Sequence, residues 1–203
     1  MKNWKILFPS FLILLLLFRY YDFFYIYIQV RQFTVKGYDT TLGTFLAFNY
    51  LLKVIFYLFK LPMIALVLSA GIFLEGSKNK ENIASFGNLL SLSLGAEFIY
   101  FLSDLFKIIY FTFINTNYSE QDYTNFHPLS LFSFLETDSS SSFANLFQTL
   151  NLFELGYIIC LVAGLRKLQY PDLPKAATVT LYSYGGMLFL WVLITTYFSL
   201  WEN

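Results

Sequence analysis

Long apolar stretches separated by short polar segments dominate the chain. A helix needs about 20 residues to cross the hydrocarbon core of a bilayer. Five stretches are near this length or longer, at approximately residues 8–28, 45–74, 87–114, 150–165 and 176–200. The polar segments between them contain the glycine, proline and serine typical of turns. The pattern predicts an all-α fold, a polytopic transmembrane helix bundle with about five spans in a single integral membrane domain covering residues 1–203.

The first stretch has the basic start and apolar run of a signal peptide. No A-x-A-like cleavage site follows the run before Arg19. We therefore expect this segment to be retained as the first transmembrane helix, with Arg19 and Asp22 inside it.

The longest polar segment, residues 115–149, contains two short apolar pieces on either side of a serine run. Neither piece is long enough to span a membrane. Each is expected to form a short amphipathic helix that lies at the membrane interface. Glu120, Asp122, Glu136 and Asp138 occur in this loop without any lysine or arginine, which is typical of a translocated loop.

Basic residues determine the expected orientation, because cytoplasmic loops retain lysine and arginine. They collect before the first span, between the second and third, and between the fourth and fifth, at Lys2, Lys5, Lys78, Lys80, Arg166, Lys167 and Lys175. Arg31 and Lys36 alone disagree with this scheme. We expect a multi-pass protein of the cell inner membrane, with a cytoplasmic amino terminus, an outer loop at 115–149 and a carboxyl terminus outside.

Composition supports the membrane interpretation and restricts the chemistry. The chain is 57% apolar and only 13% charged, whereas soluble domains contain about 25% charged residues. Its formal net charge is zero, so no nucleic-acid partner is expected. One histidine and one cysteine cannot build a zinc site, and no hydrolase, metalloprotease or phosphate-loop motif occurs. We expect no catalytic residues, no metal, no cofactor and no enzymatic activity.

Four charged residues inside the second and third spans form matching stripes. Lys53 and Lys60 are seven residues apart, as are Glu97 and Asp104, so each pair lies on one helical face. At 1.5 Å per residue the antiparallel stripes are offset by only about 5 Å. The spacing predicts interhelical pairs between Lys60 and Glu97 and between Lys53 and Asp104. Lys107, three residues after Asp104, is a rival partner within the same helix.

These charged pairs have two interpretations. They fix the register of the helices, or they line a path for protons or ions. Paired buried charges often specify packing, whereas a relay needs a titratable group within the membrane that is free to change its charge. We therefore prefer the interpretation that the pairs fix the register of the helices.

Glu154 and His127 are the remaining candidate functional residues. Glu154 lies about one turn inside the outer end of the fourth span, where a helix amino terminus favours a carboxylate. Arg19 or Lys107 is a further expected partner for it. His127 precedes Pro128 in the outer loop, where a turn or capping role is the simpler interpretation.

The segment from Phe126 to Lys167 resembles the signature region of the Yip (Ypt-interacting) family of five-span membrane proteins. The matching parts are a proline-led amphipathic piece, an L-x-L-F-x-L-type helix and a small-residue exit that ends in a basic residue, at His127 to Leu135, Leu150 to Leu155 and Ala163 to Arg166. The D-L-Y-G-P signature of eukaryotic members is absent. A long cytoplasmic amino-terminal region is absent as well, so no small-GTPase partner is expected and a prokaryotic Yip-like type fits better.

The resemblance implies a non-enzymatic bundle that serves as an accessory or scaffold subunit of a larger membrane assembly, with the lipid bilayer and other membrane protein subunits as partners. A small permease or ion-coupled transporter is the alternative, and it needs broken helices and polar groups near the midplane. A third hypothesis is a membrane-embedded enzyme, which needs one outer cavity holding both Glu154 and His127.

Overall fold

The computed structural model describes residues 10, 13, 40–76, 84–118, 122–123, 126–135, 144–170 and 172–201. Nearly all of these residues are helical, and no extended strand occurs among them. The predicted all-α class is confirmed to this extent. The chain divides into two compact units, residues 1–63 and 64–203, and each is considered by itself.

Eight α-helices and two π-helical turns make up the described part. In chain order they are α1 (Thr40–Leu74), α2 (Phe86–Ala96), α3 (Phe98–Ile109), a first π-helical turn (Tyr110–Ile114), α4 (Leu131–Leu135), α5 (Ala144–Thr149), α6 (Leu152–Leu168), α7 (Leu173–Thr180), a second π-helical turn (Leu181–Gly185) and α8 (Gly186–Trp201). Helices therefore occupy the predicted second to fifth stretches. The predicted first span lies outside the described residues, except for Ser10 and Ile13.

Two continuous helices among the described residues are long and apolar enough to cross a membrane. They run from Phe86 to Ile114 and from Leu173 to Trp201. A third apolar helical segment, Leu58–Leu74, is shorter, and α6 has 17 residues. Two possible spans are thus established by length and composition, and the count of five stays a prediction.

Apart from Ser10 and Ile13, the described structure of the first unit is the part of α1 from residue 40 to 63. Large apolar side chains there are well exposed, among them Leu51, Phe56 and Phe59. Exposed apolar surface of this kind is typical of a helix that meets lipid or another protein.

In the second unit α6 lies against α2, α3 and α7. Its buried residues recur every three or four positions and form one helical face, consisting of Glu154, Tyr157, Leu161 and Leu165. Residues 64–72 of α1 supply further members of the same apolar core, including Ile64 and Leu68. The helical period of the sequence thus places one carboxylate on an otherwise apolar buried face.

Small residues set how closely these helices approach. A Cβ added to Gly164 would lie 1.9 Å from Leu92 Cδ1, and one added to Gly71 would lie 2.7 Å from Ser183 Cβ. The approach at Gly71 requires glycine, because a Cβ atom cannot move without its backbone. At Gly164 a Cβ would displace the end of the flexible Leu92 side chain. A Cβ at Gly186 would meet nothing within 4 Å, so this glycine does not mark a close contact.

Both long helices have an irregularity near their middle. A turn at Glu97 separates α2 from α3, and the second π-helical turn separates α7 from α8. In this turn Ser183 donates a hydrogen bond to the Val179 carbonyl at 2.6 Å. Just before it, Thr180 at the end of α7 donates one to the Ala176 carbonyl at 2.9 Å. Such hydroxyl bonds to preceding carbonyls compete with the regular ladder and loosen a helix locally.

The segment before α6 is built as expected from short helices, α4 and α5, which contact one another. The backbone N–H of Leu131 donates to the Leu150 carbonyl, and that of Leu152 donates to the Leu129 carbonyl, each at 3.0 Å. Leu129 has a φ of 57°, in the left-handed region that a non-glycine residue rarely adopts. The loop is thus fastened to the start of α6.

Candidate functional site

Glu154 stands in the first turn of α6, at a helix start that its neighbours define. Asn151 caps the helix, because its Oδ1 accepts a hydrogen bond from the Glu154 backbone N–H at 2.7 Å. Ser130 pairs with Asn151 in a short antiparallel bridge. The loop therefore positions Glu154 near a helix amino terminus, where partial positive charge favours a carboxylate.

The Glu154 side chain nevertheless points into the bundle and is only 7% exposed. Burying a carboxylate is costly unless hydrogen bonds replace those to water. Two tyrosines supply them. Tyr184 Oη donates to Glu154 Oε1 at 2.8 Å, and Tyr100 Oη donates a short hydrogen bond to Glu154 Oε2.

The two donors come from the two long helices. Tyr100 belongs to α3 and Tyr184 to the second π-helical turn, and their hydroxyl oxygens are 3.4 Å apart. Hydrogen bonds to an ionised acceptor are about twice as strong as neutral ones. Through these two bonds Glu154 joins α6 to the two described helices that are long enough to span a membrane.

Tyr157 fills the space beneath this carboxylate. Its ring is fully buried, and the ring centroids of Tyr100 and Tyr184 each lie 5.0 Å from it. Tilted aromatic pairs at this distance are attractive. The polar cluster of Glu154, Tyr100, Tyr184 and Tyr157, here called the tyrosine–glutamate cluster, is therefore packed as well as hydrogen-bonded.

Glu97 is a second buried carboxylate beside the cluster. It is 3% exposed and occupies the turn between α2 and α3. Its backbone N–H donates to the Ser93 carbonyl at 3.2 Å. The Glu97 side chain is close enough to the Tyr157 hydroxyl to interact with it electrostatically. Acidic groups thus flank Tyr157 from α6 and from the turn between α2 and α3.

This arrangement is suited to holding helices together. Each oxygen of Glu154 has one tyrosine donor, so the carboxylate is stabilised as an acceptor in one geometry. Glu154 also lines a cleft of about 430 Å³ whose other walls are mainly leucine, including Leu129, Leu150 and Leu188. An apolar cleft therefore lies next to the tyrosine–glutamate cluster.

His127 is not among the described residues that line this cleft. Its carbonyl accepts hydrogen bonds from the hydroxyls of Ser130, at 2.8 Å, and of Ser133. Its ring meets the edge of Phe132 at a centroid distance of 6.2 Å. Burial, and then the charge of Lys107, lower the pKa of His127 from 6.5. His127 therefore organises the turn before α4.

The predicted lysine–carboxylate pairs stay predictions. The side chain of Lys53 lies outside the described residues, and Lys60 belongs to the first unit whereas Glu97 and Asp104 belong to the second. Lys107, the rival partner of Asp104, places its Nζ 4.2 Å from the centroid of the Tyr123 ring.

The expected cations for Glu154 are not its described hydrogen-bond partners. Arg19 lies outside the described residues, and tyrosine hydroxyls occupy both carboxylate oxygens. Sequence reasoning did not single out the tyrosines, because tyrosine in a membrane protein is ordinarily a residue of the membrane interfaces. A usable signal existed, since Tyr100 and Tyr184 stand near the middle of their apolar helices, away from the ends where belts form.

Metal binding has no support within the described residues, where no group of three His, Cys, Asp or Glu side chains is close enough to hold an ion. No protein-family model, curated protein or solved structure matches the chain.

Proposed function

We propose that this chain is a non-enzymatic, multi-span integral membrane protein of the prokaryotic Yip-like type, serving as an accessory or scaffold subunit of a larger membrane assembly. Its site is the cell inner membrane, with the amino terminus cytoplasmic, the carboxyl terminus outside and the loop at 115–149 outside. Its partners are the bilayer and other membrane protein subunits.

The low burial of the apolar helices supports the membrane part of the proposal. In the most apolar windows of Phe86–Ile114 and Leu173–Trp201, only 33% and 22% of residues are buried. A core helix of a water-soluble protein would be mostly buried, because exposed apolar patches of this extent favour association. Along α8 the exposed side chains include Phe189, Trp191, Phe198 and Trp201.

The hydrogen bonding of Glu154 carries the scaffold part of the proposal. Groups that relay protons or bind transported ions must change partners during the cycle. Glu154 instead receives one tyrosine donor on each oxygen and joins three helices. Such a cluster fixes one arrangement of the bundle, which is what a subunit that presents a constant surface requires.

Purification in a gentle detergent, followed by mass spectrometry of stoichiometric partners, tests this proposal. We expect a defined membrane protein to co-purify, and tagging that protein should recover this chain in return. Replacing exposed α8 residues together, Trp191→Ala and Phe198→Ala, should weaken recovery. The matched control replaces two exposed residues of α1, Leu66→Ala and Phe73→Ala. Recovery of a lone monomer by both routes contradicts the proposal.

A small ion-coupled permease is the second candidate, favoured by one observation. Glu97 and Tyr184 stand at irregularities near the middle of the two long helices, as expected for discontinuous helices that line a transport site. Reconstitution in vesicles with a pH-sensitive dye separates the candidates. Proton flux that Glu97→Gln abolishes and Asp104→Asn preserves would favour the permease over the scaffold.

A further inference from the structure

A groove of about 900 Å³ runs along the outward face of α6. Its lining includes Ile158, Ile159, Val162, Ala163, Arg166 and Lys167. The wall is apolar along most of its length and basic at one end. We call it the α6 groove and define it by these six residues.

The dimensions of the α6 groove match one leaflet of a bilayer. From Ile158 to Lys167 the helix rises about 13 Å, at 1.5 Å per residue. Half of the roughly 30 Å hydrocarbon core is about 15 Å. Aliphatic side chains and the small Ala163 leave room for an extended acyl chain beside α6.

Charge distinguishes the end of the groove that contains Arg166 and Lys167. Both side chains are exposed in the last turn of α6. The connection onward to α7 adds Lys175 and one acid, Asp172, so three positive charges against one negative give a net charge of +2. Asp172 and Lys175 are not among the described lining residues.

We propose that the α6 groove binds an anionic phospholipid, with an acyl chain along Ile159 and Ala163 and the headgroup phosphate at Arg166 and Lys167. Basic pockets between helices on the cytoplasmic side recognise anionic headgroups in this way. The inference rests on the proposed membrane location and on the cytoplasmic placement of the loop after α6. It adds a lipid ligand and a site for it.

Native mass spectrometry of the full chain released from nanodiscs tests the site. The nanodiscs contain equal parts of phosphatidylcholine and phosphatidylglycerol. We expect retention of one phosphatidylglycerol in preference to phosphatidylcholine. Each basic residue near an anionic headgroup contributes about a fivefold preference, so Arg166→Gln with Lys167→Gln should reduce the preference about 25-fold.

Two matched variants separate the groove from general effects. Ala163→Phe fills the groove and should abolish retention, whereas Ala70→Phe places the same bulk on another exposed helical position and should leave retention unchanged. Lys175→Gln should leave most of the preference intact. Equal retention of both lipids by the native chain, or retention unaffected by the glutamine pair, overturns the inference.

Failure of the membrane proposal gives a different result. If alkaline carbonate extracts the chain from membranes, the chain is not an integral membrane protein and the proposed function is wrong, whatever the lipid measurement gives. If the chain stays embedded but shows no lipid preference, only the site on α6 is wrong.

Discussion

The two faces of α6 differ in burial and in polarity. On the inner face Glu154 and Tyr157 are buried with Leu161 and Leu165, and the polar atoms of Glu154 are satisfied by tyrosines. On the outer face Leu155 and Ile159 are more than half exposed. The inner face packs against the described helices α2, α3 and α7, whereas the described outer-face side chains are exposed. The same helix therefore carries a specific polar contact on one side and exposed apolar surface on the other.

Loss of the inner carboxylate should have the largest effect. Glu154→Ala leaves the hydroxyls of Tyr100 and Tyr184 without their acceptor in a buried site. We expect a loss of about 3 kcal/mol in the free energy of unfolding, since hydrogen bonds to a charged group are worth about 1.5 to 3 kcal/mol each and less between membrane helices. Unfolding in mixed detergent micelles measures it. Glu154→Gln keeps one acceptor oxygen and should lose less of the free energy of unfolding. An unchanged unfolding midpoint for Glu154→Ala would show that the polar contact on the inner face does not stabilise the fold.

Apolar truncation compares the faces directly. Leu161 is fully buried and Ile159 is 59% exposed. Leu161→Ala should cost about 2 kcal/mol, because a cavity remains in the packed core. Ile159→Ala, two residues away on the outer face, should change stability by less than about 0.5 kcal/mol. The same unfolding assay compares them, and equal losses would show that the outer face is also packed.

Removal of one hydroxyl measures the contribution of a single hydrogen bond to Glu154. Tyr184→Phe deletes the donor to Glu154 Oε1 while keeping the ring against Tyr157. We expect a loss of about 1 kcal/mol, typical of a hydrogen bond between membrane helices. Tyr182→Phe is the matched control, because Tyr182 is 82% exposed in the same turn. A double-mutant cycle with Glu154→Ala should show coupling for Tyr184 and none for Tyr182.

The smallest expected effect concerns the loop that positions the inner face. The pKa of His127 is lowered in the folded chain, so the unfolded chain binds more protons as the pH falls through about 6.5. Stability should therefore be complete above that pH and decrease below it, down to the lowered folded pKa. His127→Gln should remove this part of the pH dependence. Comparison of unfolding midpoints at about pH 7.5 and about pH 5.5 checks it, and an unchanged slope in the variant would assign the pH dependence elsewhere.

The helices were largely predictable, whereas the polar contacts were not. Hydropathy located the segments that became α1, α2 with α3, α6, and α7 with α8, since apolar runs of that length adopt few other structures. It extended the fourth stretch from Leu150, whereas α6 begins at Leu152 after the Asn151 cap. Capping depends on a side chain and its loop, which a hydropathy window averages away.

Glu154 was recognisable as a candidate because a carboxylate inside an apolar run is costly. Its partners were not recognisable. Tyr100 and Tyr184 are 54 and 30 residues away, and a tyrosine in an apolar helix serves equally well at an interface, against lipid or as a donor. Charge complementarity pointed to cations, but neutral hydroxyls stabilise a buried carboxylate without bringing in a second charge to desolvate.

The sequence by itself determined the helical class, the approximate position of each described long helix and the presence of a carboxylate in the first turn of α6. These follow from local periodicity and from the free-energy cost of exposing or burying each residue type. Only the tertiary structure decided which atoms Glu154 meets, that Gly164 and Gly71 are the close contacts, and that a groove ends at Arg166 and Lys167. Those features depend on the rotation and approach of helices far apart in the chain, which no single segment encodes.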